Sequence, residues 1–171
     1  EEKMANNFYK LALGGIFAII VIGAYMAFTG YANDVYPLDQ SVGFLDRIVA
    51  TSDPQTIIAD INSIKANLPE TGNPVWIFPT DSTNFARIQA DLDTMLISAE
   101  KIAAVPTDSA AYHTGMLDIN SRAVLIQENI ADAIPYMYVS FSNIIFSSIW
   151  IAAILGIFAV LNKKKQKMQE Y

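Results

Sequence analysis

Charged and apolar positions divide this chain into three regimes. No residue from Leu11 to Asn33 is charged, a window of 23 positions, and none from Ala133 to Asn162, a window of 30. A helix needs about 20 apolar residues to cross the hydrocarbon core of a bilayer. Leu11–Phe28 (LALGGIFAIIVIGAYMAF) and Ile144–Leu161 (IIFSSIWIAAILGIFAVL) are long and apolar enough. Between the two windows the pattern changes to apolar residues every third or fourth position, the period of helices with one buried face.

Prolines and capping residues punctuate that middle segment. Val42, Leu45, Ile48 and Val49 form a short apolar stripe. Asp53-Pro54 is a helix start, with the aspartate as cap and the proline in the first turn, where its missing N–H is no loss. Ile57, Ile58, Ile61, Ile64 and Leu68 follow on one face, and Pro69 ends the run. A further helix is predicted from near Asp81–Thr83, with Phe85, Ile88, Leu92, Met95, Ala99 and Ile102 alternating at spacings of three and four. Pro106 stops it. Thr107 or Asp108 is the expected cap of the last helix, where Tyr112, Met116, Ile119, Ala123, Ile126, Ile130 and Ala133 repeat the alternation. Two such heptad seams joined by a short turn predict an antiparallel helical hairpin. At about 1.5 Å per residue the last helix is roughly 40 Å long, so the linker from Glu70 should lie back at its base. Val75–Phe78, bracketed by Pro74 and Pro79, is the sole strand candidate, and Pro135 is expected to kink the passage into the second apolar window.

The pattern therefore predicts an all-α membrane protein. Two transmembrane helices (11–31 and 136–162) flank an extracytoplasmic helical domain (32–135) resembling a four-helix bundle. Short cytoplasmic segments (1–10 and 163–171) complete the chain. The first apolar run exceeds the roughly 7–15 residues of a signal-peptide core, so a retained span is expected. Lysines set the orientation. Lys3 and Lys10 precede the first span, and Lys163, Lys164, Lys165 and Lys167 follow the second. Residues 34–132 carry five basic side chains against fourteen acidic ones. Both termini should face the cytoplasm, with the acidic middle outside the plasma membrane. Tyr25, Phe28 and Tyr31 then fall at the outer end of one span and Tyr136, Tyr138 and Phe141 at that of the other, where amphipathic rings favour the interface.

Composition narrows the chemistry. The chain has 171 residues, no cysteine and one histidine, so thiolate chemistry, iron–sulfur clusters and multi-histidine metal centres cannot come from it alone. A net charge of −6 argues against nucleic acid as a partner. No phosphate-binding, dinucleotide-binding, HExxH or GxSxG motif occurs. His113, with Met116 one turn on, is the single pair that suggests a soft metal site, and two ligands are too few; an ordinary surface histidine is the simpler expectation. Asp91 and Asp93 point to different faces of a helix and read as solvating charges. Neither a catalytic residue nor a cofactor is expected.

Two features remain. Val75, Trp76, Ile77 and Phe78 put four apolar residues into a turn-rich linker, either as a plug for the bundle or as a contact with the membrane surface or a partner. Small residues recur at every fourth position or nearly so in the spans: Gly14, Ala18, Gly23 and Ala27 in the first, Ser148, Ala152 and Gly156 in the second. Such stripes let helix backbones approach closely. These features favour a non-catalytic accessory subunit that packs against other integral membrane subunits in the lipid bilayer. By architecture and composition alone, the host would be a respiratory enzyme or a membrane-bound monooxygenase such as archaeal ammonia monooxygenase. The alternative is an extracytoplasmic sensor, since the layout alone resembles the input half of bacterial chemoreceptors. Only ten residues, Asn162–Tyr171, follow the apolar run ending at Leu161, so such a sensor would need a separate output partner.

Overall fold

The ends of the helices are set by side chains that satisfy the orphan backbone groups there. The computed structural model describes residues 2–169; Glu1, Glu170 and Tyr171, the outermost positions of the expected cytoplasmic segments, lie outside the described residues. Every regular element among the described residues is helical: α1 (Glu2–Gly30), a π-helical turn (Tyr31–Val35), α2 (Tyr36–Ala50), α3 (Pro54–Asn67), α4 (Phe85–Ala103), α5 (Ala110–Tyr138) and α6 (Phe141–Gln169). They form two compact units. One comprises residues 31–140, and the other pairs α1 with α6.

In the first unit α2 packs on α3, α3 on α4 and α4 on α5, and α5 closes back on α2. This is an up-down-up-down four-helix bundle. The apolar seams lie inside it. Every one of Phe85, Ile88, Leu92, Met95, Ala99 and Ile102 on α4 is buried, as is every one of Tyr112, Met116, Ile119, Ala123, Ile126, Ile130 and Ala133 on α5. From α3 come Ile57, Ile61 and Ile64, with Leu68 just beyond its end. The α2 face differs slightly from the expected stripe. Leu38, Leu45 and Ile48 are buried and Val42 partly so, whereas Val49 is exposed and Ser41 occupies the buried row. The Ser41 hydroxyl is satisfied by donating to the Pro37 carbonyl at 2.8 Å.

The caps confirm one expectation and correct two. Asp53 caps α3 as its sequence implies, accepting from the backbone N–H of Gln55 and Thr56 and from the Thr56 hydroxyl at 3.3, 3.0 and 2.6 Å. These donors hold the Asp53 carboxyl below its ordinary value, the Thr56 hydroxyl most strongly. Helix α4 starts at Phe85 rather than near Asp81–Thr83. Residues 81–84 form a turn, and Asn84 supplies the cap to the Ala86 N–H at 3.0 Å. Helix α5 is capped by Ser109, whose hydroxyl accepts from Tyr112 N–H at 3.1 Å. Thr107 and Asp108 lie inside the Pro106–Ser109 turn, closed by Ser109 N–H to the Pro106 carbonyl at 3.1 Å, and so come too early to cap.

Polar links also cross the bundle. Asp60, at a buried position of α3, receives Nε of Arg47 from α2 at 2.7 Å and a second bond from Nη2 of the same guanidinium. This pairing raises the Arg47 pKa above its ordinary value. The guanidinium also lies 5.1 Å from the centre of the Phe44 ring. At the end of the bundle opposite the α5 terminus, the Tyr112 hydroxyl donates to the Ser52 carbonyl, tying α5 to the α2–α3 link. The charge reading of Asp91 and Asp93 also gains detail: Asp93 pairs with Lys65 of α3.

Proline acts at both places where the bundle meets the apolar helices. Pro37 cannot donate to the carbonyl four residues before it, Asn33, and the wider π-turn at Tyr31–Val35 falls there. Pro135 does not end α5 as a break. The helix passes through it to Tyr138, and the interruption comes at Val139 and Ser140. Losing one N–H leaves the neighbouring helical bonds intact, so the helix survives several residues beyond the proline.

Two glycines in the bundle should respond oppositely to alanine. A Cβ on Gly43 of α2 meets nothing within 4 Å, so Gly43→Ala should stabilise by about 0.5–1 kcal/mol through helix propensity. A Cβ on Gly115 would lie 2.7 Å from Ile102 Cγ1. Overpacking there costs about 1–3 kcal/mol and outweighs the same propensity gain, so Gly115→Ala should lower the melting temperature. Thermal melts by circular dichroism check both. The same melts test the Asp53 cap. Its carboxyl titrates lower in the folded than in the unfolded chain, so its contribution is complete above the ordinary carboxylate range of about 4 and fades as pH falls through the lowered folded value. The melting-temperature gap between the native protein and Asp53→Ala should therefore be full at neutral pH and shrink in acid.

Candidate functional site

The connection between α3 and α4, residues 68–84, is much longer than the other two links of the bundle. Alternation of helix direction puts it at the same end as the start of α2 and the end of α5. It is a closed structure built around one side chain. Gly72 turns the chain with φ +108°, a region that a side chain disfavours. The Gly72 carbonyl then accepts from Phe85 N–H at 2.9 Å. Asn73 reaches across the loop, its Nδ2 donating to the Thr80 carbonyl at 2.7 Å. Its Oδ1 accepts from Val75 N–H and from the buried Thr83 hydroxyl, both at 3.0 Å. Pro74 and Pro79 stiffen what lies between.

This bracket separates the four apolar residues that the sequence presents together. Val75 is buried, 8% exposed. Trp76, Ile77 and Phe78 turn outward, with exposures of 48%, 61% and 81%. One of the four is thus buried and three project. The stretch is not a strand, because prolines at both ends and the Asn73 bracket impose a loop. Trp76 is fixed by its indole N–H, which donates to the Val139 carbonyl at 3.1 Å. That carbonyl lies in the interruption between α5 and α6, and Tyr136, Tyr138 and Val139 are exposed beside it in sequence. The Asn73 bracket is the part of this site that residue patterns did not reveal; an asparagine after glycine and before proline is its faint signal.

In the α1–α6 unit each helix has 29 residues, and both are long and apolar enough to cross a membrane. Their mutual contact centres on Trp150 and Gly23. A Cβ at Gly23 would lie 2.7 Å from the indole, and the indole N–H donates to the Ile19 carbonyl at 2.9 Å. The partly buried positions mark the touching faces: Gly15, Ile16, Ile19 and Gly23 on α1, and Trp150, Ile154 and Ile157 on α6. Of the seven small residues singled out for helix packing, only Gly23 lies on this contact. Gly14, Ala18, Ala27, Ser148, Ala152 and Gly156 are exposed. Nothing lies within 4 Å of a Cβ built on Gly14 or Gly156. Ser148 donates to its own helix at the Ile144 carbonyl, 2.8 Å away.

The structure separates the soft-metal pair. Met116 is buried in the bundle, while His113 is exposed and meets the edge of the Tyr112 ring at 5.9 Å between centroids. No group of three or more His, Cys, Asp or Glu side chains among the described residues could hold a metal ion.

Comparison with protein-family models, with curated proteins and with solved structures found no match. The fold defines the class reached here: an all-helical chain carrying a four-helix bundle and two long apolar helices.

Asn73→Ala should open the loop without unfolding the bundle. It removes three hydrogen bonds and leaves the buried Thr83 hydroxyl without its Asn73 acceptor, a local loss of about 1–3 kcal/mol. Amide exchange at Val75 and proteolysis between residues 70 and 84 should speed up while core amides of α4 and α5 keep their protection.

Proposed function

We propose that this protein is a non-catalytic accessory subunit of a multi-subunit integral membrane complex. In this reading α1 and α6 span the plasma membrane with both termini in the cytoplasm, and the bundle covers the outer face of the assembly. The observation that carries it is the outward direction of the small-residue faces. The two apolar helices use one face each, meeting at Trp150 and Gly23, and leave Gly14, Ala18, Ser148, Ala152 and Gly156 exposed. In hydrocarbon, where apolar side chains gain nothing by leaving lipid, close backbone approach over small residues is a main source of helix association. The exposed stripes would therefore receive helices of other subunits. The acidic bundle and the lysines after Leu161 support the orientation.

The subunit would act by position. Its spans brace neighbouring helices, and its bundle, rooted at two proline-bearing junctions, shields the surface above them. The proposed host class is a respiratory enzyme or a membrane-bound monooxygenase such as archaeal ammonia monooxygenase.

Extraction of native membranes in mild detergent, followed by mass measurement of the intact assembly, tests this. The expected result is a stoichiometric complex far heavier than the 18.8 kDa chain. Ala152→Leu with Gly156→Leu should release the subunit from it while the melting temperature of the bundle stays unchanged. A lone chain of native mass that binds a small solute would overturn the subunit reading in favour of a sensor.

A further inference from the structure

We propose that the tip of the α3–α4 loop, Trp76–Phe78, inserts into the lipid leaflet at which α6 begins and gives the chain a third membrane contact besides its two spans. This rests on the reading of α1 and α6 as membrane spans. It assigns the occupant of the exposed tip: the phospholipid headgroup and upper acyl region.

Three independent observations support the assignment. The first is position. The Trp76 indole is bonded to the Val139 carbonyl, two residues before the first residue of α6. Two residues of extended chain span at most about 7 Å. The headgroup and interfacial layer on each side of the hydrocarbon is of comparable depth, about 5–8 Å. The bond therefore ties the root of the tip to the chain within two residues of the start of the apolar helix.

The second is chemistry. From Thr71 to Thr80 no residue is charged, so no ionised group needs water there. Exposure rises steadily from Trp76 to Phe78, and all three exposed side chains are apolar or amphipathic. Tryptophan at the root, with an apolar body and a bonded N–H, is the side chain that interfaces favour, and exposed Tyr136 and Tyr138 adjoin the same carbonyl in sequence.

The third is rigidity. A flexible loop would fold its apolar residues back onto the bundle. The Asn73 bracket and the two prolines keep them outward, at a penalty in water that insertion would remove. A neighbouring protein subunit is the competing occupant. Lipid is favoured because it borders each span at this level without any further component.

The chain's two tryptophans make a direct test. The full-length protein is reconstituted into phosphatidylcholine vesicles as two single-tryptophan variants, Trp150→Phe and Trp76→Phe, with doxyl-labelled lipids as quenchers. Trp76 fluorescence should fall more with a label at acyl carbon 5 than at carbon 12. Trp150 should show the reverse order. Adding Ile77→Glu and Phe78→Glu to the Trp150→Phe variant should abolish the lipid quenching of Trp76 and open it to aqueous acrylamide, with helicity unchanged.

Trp150 quenched while Trp76 is untouched by any lipid label would overturn the proposal and leave the spans standing. Shielding of Trp76 from acrylamide only within the native complex would overturn it in favour of a protein occupant. If neither tryptophan is quenched by lipid, both the tip insertion and the membrane reading are overturned.

Discussion

The bundle depends on the seam where α4 meets α5. On both helices the apolar residues alternate at spacings of three and four, which keeps one stripe facing its partner along the whole length and favours a shallow crossing angle. Close approach near the turn needs Gly115, because Ile102 occupies the space a side chain would take. With α2 packed on α5 and α3 on α4, the core is continuous from Leu38 to Ala133. Asp60, the one buried carboxylate among the described residues, is tolerated because the Arg47 guanidinium on the neighbouring helix meets both its oxygens.

Up-down connectivity has a consequence at the base of the bundle. The chain must return there between α3 and α4, beside the points where α2 begins and α5 ends. A turn of a few residues would suffice, as the link between α2 and α3 shows. Here the connection is long, crosslinked by Asn73 and tied to Val139 through Trp76. Its polar atoms are spent on its own closure, and its apolar atoms are turned outward. That division suits a surface that meets something less polar than water.

The α1–α6 pair shows the opposite economy of contacts. Its helices share one indole, one glycine and a short row of aliphatic side chains, and most of their apolar surface is uncovered. Under the proposed function this is sensible, since lipid and neighbouring helices supply the missing contacts. The indole of Trp150 illustrates the constraint such a setting would impose: its N–H is satisfied by a helix carbonyl within the same unit.

Much of the fold was legible along the chain because helical periodicity and proline are local signals. The seams from Phe85 to Ile102 and Tyr112 to Ala133, the Asp53-Pro54 start and the two apolar windows need no knowledge of distant residues. Cap positions were less legible: Asn84 and Ser109 displaced earlier candidates because the intervening turns consume Thr83, Thr107 and Asp108. The candidate site was legible only as four apolar letters between two prolines. Which of them is buried and which project was decided by the Asn73 bracket and by a hydrogen bond between residues 76 and 139. The stripes of small residues were equally plain in sequence, but only the placement of Trp150 over Gly23 determined which face the chain uses for itself. Local order follows from short-range sterics and hydrogen bonding, which neighbouring residues specify. The direction a side chain faces across a loop or a helix pair depends on contacts between residues far apart in the chain, and those exist only once it has folded.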